Sequence, residues 1–147
     1  AGAWYTAGLL HDIGRLVLAA LVGPAYLERC GTAQGAPLVT AEQEAFGMAH
    51  PEAGWLLAES WGLPTALAEV LRLHHAPAAD VEQPALLGAV AVAQAMPALV
   101  RGGEPITEEL LSHDVQAGLA MSGLEAGALE ALRQRTLERT ASPGDAG

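Results

Sequence analysis

The sequence predicts an all-α fold, a helical bundle of about seven helices. Proline, glycine and small polar residues divide the 147 residues into segments of helical length. Apolar residues recur within these segments at three-to-four spacing, and the alternating β-branched pattern of strands is almost absent from the sequence. With 51% apolar residues, a chain of this length has enough apolar surface to fold as one domain.

Boundary residues define the predicted helices of the first half. Gly23 followed by Pro24 ends the first helix, because proline cannot continue it. Thr40 and Gln43 have the spacing of a capping box and predict a helix start. Pro51 suits a first helical turn, where its missing amide is not needed. The predicted helices are about Ala3–Val22, about Ala25–Cys30, one from Thr40 to near Gly47, and Glu52–Trp61 opened by His50 and Pro51.

The second half is divided in the same way. Pro64 starts a new helix directly after Gly62 and Leu63, and Pro77 ends it. Residues Arg101 to Pro105 form a break, after which Thr107 with two glutamates predicts a capped start. The predicted helices are one from Pro64 that ends before Pro77, Pro84–Val100, Thr107–Leu111, and the amphipathic Leu124–Arg139.

The first predicted helix is apolar on every face and therefore has to be enclosed. Its start lies close to the first residue, so we expect part of its cover to come from a second chain or from residues that precede Ala1. A homo-oligomer is one such arrangement. Residues 1–140 are predicted to form a single domain, and residues 141–147 a flexible tail.

The charge balance argues against two classes of partner. The sequence has 17 acidic residues against seven arginines and no lysine, which gives a formal net charge of −10. Proteins that bind nucleic acids present a basic surface to the phosphates, and anionic membrane surfaces attract basic segments. We therefore expect neither a nucleic-acid partner nor a membrane partner.

No segment of the sequence is typical of export or of membrane anchoring. The stretch Ala3–Val22 has the length of a membrane span, but His11, Asp12 and Arg15 interrupt it. It also lacks the basic region that opens a signal peptide. Cys30 is the single cysteine and cannot form an intramolecular disulfide. These features predict a cytoplasmic protein.

Five residues are candidates for a functional site, namely His11, Asp12, His50, His74 and His75. An ionised Asp12 in an apolar stretch needs compensation, and either Arg15 on the same helix face or a bound cation supplies it. The histidines also have two interpretations. His50 lies at a helix start and His74 and His75 at a helix end, where they serve as caps or complement the helix dipole, whereas clustered imidazoles with a carboxylate suit a divalent transition metal. A second His-Asp pair, His113 and Asp114, lies in a polar stretch, which predicts an exposed helix end there.

Several motifs occur in the order and approximate spacing of one family. The Trp-Gly-Leu-Pro segment followed by His-His is the most specific part. The sequence resembles an HDOD domain over roughly Ala3–Val100. The motifs are Gly-Leu-Leu-His-Asp-Ile-Gly-Arg-Leu at 8–16, His-Pro-Glu-Ala-Gly at 50–54, Trp-Gly-Leu-Pro at 61–64 and His-His at 74–75.

The resemblance implies an all-helical fold and a metal site. HDOD domains are a bacterial signalling branch of the HD superfamily, related to the HD-GYP cyclic-di-GMP phosphodiesterases. The resemblance places His11 and Asp12 at the signature ligand positions, and His50, His74 and His75 at positions of further ligands in HD-GYP enzymes. Arg15 replaces the lysine that follows the signature and either pairs with phosphate or neutralises Asp12.

The sequence differs from the HD-type enzymes at several positions, and these differences predict a degenerate metal site. Gln94 occupies the late-helix position where the enzymes carry an aspartate ligand, and a neutral amide is a poor substitute. Residues 76–80 replace the Gly-Tyr-Pro segment, and the enzymes' ligand from a helix upstream has no counterpart in the sequence. Metal-dependent hydrolysis needs an open coordination position and a water-activating ion.

We therefore predict a non-catalytic signal-transduction domain that acts as a regulatory module on a protein partner or another signalling domain. No catalytic residue and no cofactor are predicted for this role. The alternative is an HD-type phosphohydrolase that uses Mn, Fe, Ni or Zn to act on a nucleotide or a cyclic dinucleotide.

Overall fold

The computed structural model describes residues 2–141, and the regular structure in this range is helical, which confirms the all-α prediction. Two of the helices are separated only by His11 and Asp12. The elements are α1 (Gly2–Leu10), α2 (Ile13–Val22), α3 (Ala25–Cys30), α4 (Gly35–Phe46), α5 (His50–Trp61), α6 (Thr65–Leu73), α7 (Pro84–Arg101), a 3-10 turn (Glu108–Leu110), α8 (His113–Ser122) and α9 (Ala126–Ala141).

The first predicted helix is interrupted where its polar residues lie. The backbone of Asp12 departs from helical geometry, with φ −97° and ψ 9°, a sparsely populated region that active-site residues often adopt. The amide of Arg15 still donates to the Asp12 carbonyl at 2.9 Å, so the chain re-enters the helix within one turn. The interruption was not predicted from the periodic apolar pattern.

Three further boundaries differ from the predictions. Thr40 is not a cap but lies inside α4, where its hydroxyl donates to the Ala36 carbonyl. Thr107 precedes only a 3-10 turn and makes no side-chain cap. The stretch from His113 forms the full helix α8, which Ser112 caps by accepting a hydrogen bond from the Val115 amide. His113 and Asp114 are exposed at its start.

The core runs through the bundle in several connected clusters. Helix α5 packs against α2 and α6, and α7 packs against α8. The cluster that joins the two halves places α1 and α6 against α7. Its buried residues are Ala7, Leu67, Val70, Leu86, Leu87 and Val90.

Glycine permits a close approach between α2 and α5. A Cβ atom on Gly14 would overlap with the His50 carbonyl oxygen and would lie 2.7 Å from the Gly54 amide nitrogen. Because these neighbours are backbone atoms, a larger residue could not be accommodated by a side-chain rotation. Gly14 therefore lets Asp12 and His50 lie side by side.

The first two helices are largely exposed. Gly2–Val22 and Pro84–Arg101 are long and apolar enough to cross a membrane by length and composition alone, a criterion that core helices of soluble proteins also meet. Only 17% of the first window is buried, against 33% of the second. The described residues therefore cover the first predicted helix only in part. The predicted tail lies outside them except for Ala141, which ends α9.

Candidate metal centre

Four of the five candidate ligands come together at one point of the bundle. Asp12 lies between α1 and α2, His50 is the first residue of α5, and His74 and His75 directly follow α6. One ligand atom from each residue lies within 4.8 Å of the ligand atoms of the other three. His50 and His74 are buried, and Asp12 and His75 are partly buried. Three separate segments of the chain therefore supply donors to one small volume.

The separations between these atoms match those of ligands on one ion. Asp12 Oδ1 lies 3.3 Å from His50 Nε2 and 3.4 Å from His74 Nε2, and the Nε2 atoms of His50 and His75 are 3.0 Å apart. Metal bonds of about 2.0–2.2 Å place neighbouring ligand atoms about 2.8–3.6 Å apart in octahedral and tetrahedral geometry. The cluster therefore fits a first-row transition metal ion.

A buried carboxylate that the sequence analysis did not identify fixes His50. Glu42 on α4 is fully buried, and its Oε2 accepts hydrogen bonds from the His50 backbone amide at 2.8 Å and from His50 Nδ1 at 2.6 Å. Its Oε1 accepts a hydrogen bond from the Tyr26 hydroxyl. Because Nδ1 carries the proton, Nε2 presents its lone pair to the cluster. Carboxylate-histidine pairs of this kind orient the ligands of metal sites.

The hydrogen bonding of His74 indicates whether the four clustered residues fit a cation. Its Nδ1 lies 3.0 Å from the Leu71 carbonyl and 3.1 Å from the Val70 carbonyl, so Nδ1 is the protonated nitrogen. Its Nε2 is buried and has no hydrogen-bond partner, although it lies close to Asp12. An unpaired buried acceptor is costly. A cation at the cluster would satisfy the Nε2 lone pairs of His50 and His74 together with the Asp12 carboxylate, so the residues fit a metal ion.

The charge states of the cluster also suit metal binding. Burial raises the pKa of Asp12, but the neighbouring imidazoles of His50, His74 and His11 lower it further, so that the net pKa lies well below the usual range. Burial, followed by the proximity of His74 and His50, lowers the pKa of His75 to about 3. Near neutral pH Asp12 is therefore a carboxylate and His75 a neutral imidazole, the forms in which both bind metals.

His11 and Arg15 lie at the edge of the cluster. The ring of His11 hydrogen-bonds through Nδ1 to the Gly8 carbonyl at 2.7 Å, and its Nε2 is 3.7 Å from Asp12 Oδ2. His11 is thus near the cluster but not part of the four-residue group. Arg15 Nη1 lies 3.4 Å from the same Asp12 oxygen. His11 and Arg15 therefore approach Oδ2 of Asp12, whereas His50 and His74 approach Oδ1.

A cavity of about 780 Å³ opens onto the cluster. His11, Asp12, His50 and His75 line it together with Arg15 and Gln94. The Gln94 amide donates a hydrogen bond to the His74 carbonyl, so this residue supports a candidate ligand instead of replacing the aspartate expected at its position. The cluster is therefore reachable from solvent by a small molecule.

The comparisons with known proteins identify the family. The model of the HDOD domain family matches residues 1–77, a range that includes all four clustered residues and Glu42. The match is shorter than the resemblance to Val100 in the sequence and does not include α7. No curated protein and no solved structure matches the chain. Since the family model covers more than half of the sequence, the chain belongs to the HDOD family, which is related to the HD superfamily.

Proposed function

We propose that the chain is a regulatory domain of signal transduction that binds one divalent transition metal ion and acts on a protein partner without hydrolytic activity of its own. The observation that carries the metal assignment is the unpaired buried Nε2 of His74, which faces Asp12 and the Nε2 lone pair of His50. Membership in the HDOD family supports the regulatory role.

The donor set supports a structural site. Asp12, His50, His74 and His75 would fill the four positions of a tetrahedral ion, whereas catalytic zinc sites have three protein ligands and one open position. The bound ion would supply charge neutralisation and a fixed link between α2, α5 and the end of α6. A change in metal occupancy would then alter how these three segments pack, and a partner that binds them would respond to this change.

One observation favours the alternative, a metal-dependent phosphohydrolase. The cavity beside the cluster is large enough for a nucleotide-sized ligand, and Arg15 lies on its wall. A guanidinium group can bind a phosphate through two parallel hydrogen bonds. In this alternative Arg15 would orient a phosphodiester while Asp12 and the histidines held the ion.

Metal analysis followed by activity assays separates the two functions. We expect protein purified without chelators to contain about one transition metal ion per chain, and Asp12→Ala to lose it, since a ligand carboxylate is removed. With added Mn or Fe, the wild-type protein is expected to give no turnover of a cyclic dinucleotide or a chromogenic phosphodiester.

Asp80→Ala is the matched control, because Asp80 is exposed between α6 and α7 and is not one of the residues that line the cavity. It should retain the metal. Turnover that is lost in Asp12→Ala and kept in Asp80→Ala would establish the hydrolase instead. A wild-type protein that binds no transition metal would refute the metal assignment.

A further inference from the structure

An exposed apolar surface covers the first three helices. Tyr5 and Leu9 on α1, Leu16 on α2 and Leu27 on α3 are each between 66% and 75% exposed. Tyr5 and Leu9 are one turn apart and share a helix face. Monomeric soluble proteins rarely expose several large apolar side chains side by side, and such patches mark interaction sites.

A groove runs along this surface between α2 and α3. Leu9, Leu16 and Leu27 line it, and Ile13, Ala19 and Pro24 continue its apolar wall. Its volume is about 670 Å³. Asp12 and Arg15 lie at its edge and also line the cavity of the candidate metal centre. We propose that a second copy of this chain docks on this surface, groove against groove, to form a symmetric dimer.

The distribution of charge allows a second copy to occupy this surface. In residues 1–27 the only acidic or basic side chains apart from His11 are Asp12 and Arg15, which form an ion pair. The other 16 acidic and six basic residues lie from Glu28 onward. The net charge of −10 therefore belongs to the rest of the chain. Two copies repel each other over most of their surfaces but can meet on this neutral one.

The available area agrees with a weak dimer. The exposed parts of Tyr5 and the three leucines offer on the order of 500 Å², and the remaining groove residues add to it. A specific interface buries about 600–1,000 Å² on each partner, and weak or transient complexes lie at the lower end. In a two-fold arrangement the same residues meet on both copies, so each copy covers the apolar surface of the other.

A lipid bilayer is a less suitable occupant of this surface. A helix inserted over Gly2–Val22 would place His11, Asp12 and Arg15 in the hydrocarbon region, where each polar group is costly. It would also pull Asp12 away from His50 and His74, with which it lies in contact. The negative charge of the chain further disfavours anionic membranes.

Sedimentation analysis of the full chain over about 1–200 µM tests the proposal. We expect a reversible monomer–dimer equilibrium with a micromolar dissociation constant. Leu16→Glu should raise this constant by at least about tenfold, because it places an unpaired charge in the interface. Leu27→Gln should shift it in the same direction without adding charge. Both residues are exposed, so circular dichroism should show an unchanged helix content.

Leu110→Glu is the matched control, since Leu110 is 61% exposed but lies in the 3-10 turn far along the chain. It adds the same charge and should leave the dimer intact. A chain that remains monomeric across the whole concentration range would overturn the proposal. A dimer that Leu16→Glu and Leu27→Gln do not weaken would also overturn it, as would monomers that bind phosphatidylcholine vesicles through this surface.

Discussion

The two ends of the bundle bury different kinds of side chain, although both are built from helices. The region from α1 to α6 buries Glu42, His50 and His74. The region from α7 to α9 has an apolar core, and its buried charged side chain, Arg133, is paired with Glu130. That core consists of Val92, Ile106, Leu111, Val115, Leu119, Ala126 and Leu129.

The buried polar side chains give the region from α1 to α6 a cost in stability that the apolar core of the other region does not have. Burying a polar group costs free energy unless it is hydrogen-bonded. In the first region the network leaves His74 Nε2 without a partner, a cost that an apolar residue at this position would avoid. A metal ion held by the cluster, as proposed above, would remove this cost. The family match follows the same division, because it ends at residue 77.

Helix α7 of the second region packs against α6 of the first region and so helps to position the candidate site. Leu86, Leu87 and Val90 of α7 share a buried cluster with Leu67 and Val70 of α6. Gln94 lies one turn further along α7, and its side-chain amide donates a hydrogen bond to the backbone carbonyl of His74. Helix α7 therefore positions the end of α6 without contributing a ligand.

The largest effect is expected from glycine substitutions at the helix crossings of the two regions. Gly14→Ala should destabilise the protein by about 3 kcal/mol, at the upper end of the range for overpacking, because its Cβ would overlap with the His50 backbone. It should also abolish stoichiometric metal binding, since Asp12 and His50 would move apart. Urea unfolding and metal analysis measure both effects.

Gly118→Ala provides the comparison in the second region. Its Cβ would lie 2.9 Å from the Gly88 carbonyl oxygen and 3.0 Å from Val92 Cγ2, so a smaller loss of about 1 kcal/mol is expected, with normal metal content. Gly8→Ala has open space around its Cβ and should be neutral or slightly stabilising. If Gly14→Ala kept wild-type metal content, the close approach of α2 and α5 would not be what assembles the site.

The next largest effect is expected on metal affinity, from a substitution that removes the carboxylate orienting His50. Glu42→Gln should lower the affinity for the metal by about 10–100-fold, the usual cost of losing a carboxylate that orients a ligand histidine. Competition with a chromogenic chelator measures this affinity. Glu44→Gln on the same helix, where the side chain is exposed, should leave it unchanged. Equal affinities for the two variants would show that the buried carboxylate only stabilises the fold.

Much of the fold could be predicted from the sequence because glycine and proline act locally. Gly62 and Pro84 set the end of α5 and the start of α7 as predicted. The interruption at Asp12 could not be predicted, because apolar residues continue on both sides of it and the contacts of Asp12 with His50 and His74 are tertiary. Helix α8 was missed because only Val115, Gly118 and Leu119 are buried along it, which gives a weak apolar period.

The site could be predicted only in part. The resemblance to HDOD domains implied Asp12, His50, His74 and His75 as candidate ligands, and the structure brings their side chains together. Glu42 could not be identified, because a glutamate within a helix usually lies in solvent. Its burial depends on how α4 packs beside α5, with Tyr26 of α3 as a further partner. Sequence patterns therefore indicated the ligands but not the residue that orients them.

The smallest expected effect is a change in how the stability of the fold depends on pH, and it concerns the region from α7 to α9. Glu130 on α9 accepts hydrogen bonds from Arg133 and from the Ile106 amide, and these lower its pKa from 4.5 to about 2. A lowered pKa in the folded state means that the carboxylate stabilises the fold above pH 4.5 and that this contribution is lost as the pH falls from 4.5 towards 2.

In Glu130→Gln the stability at pH 7 should therefore be slightly lower, and the fall between pH 4.5 and pH 2 less steep, than in the wild type. Thermal unfolding as a function of pH measures the difference, and metal content at pH 7 should not change. Glu138→Gln, exposed on the same helix, should follow the wild-type curve. A Glu130→Gln curve parallel to the wild type would mean that the acid sensitivity of the protein originates in the region from α1 to α6, where Asp12 would then be the carboxylate to examine.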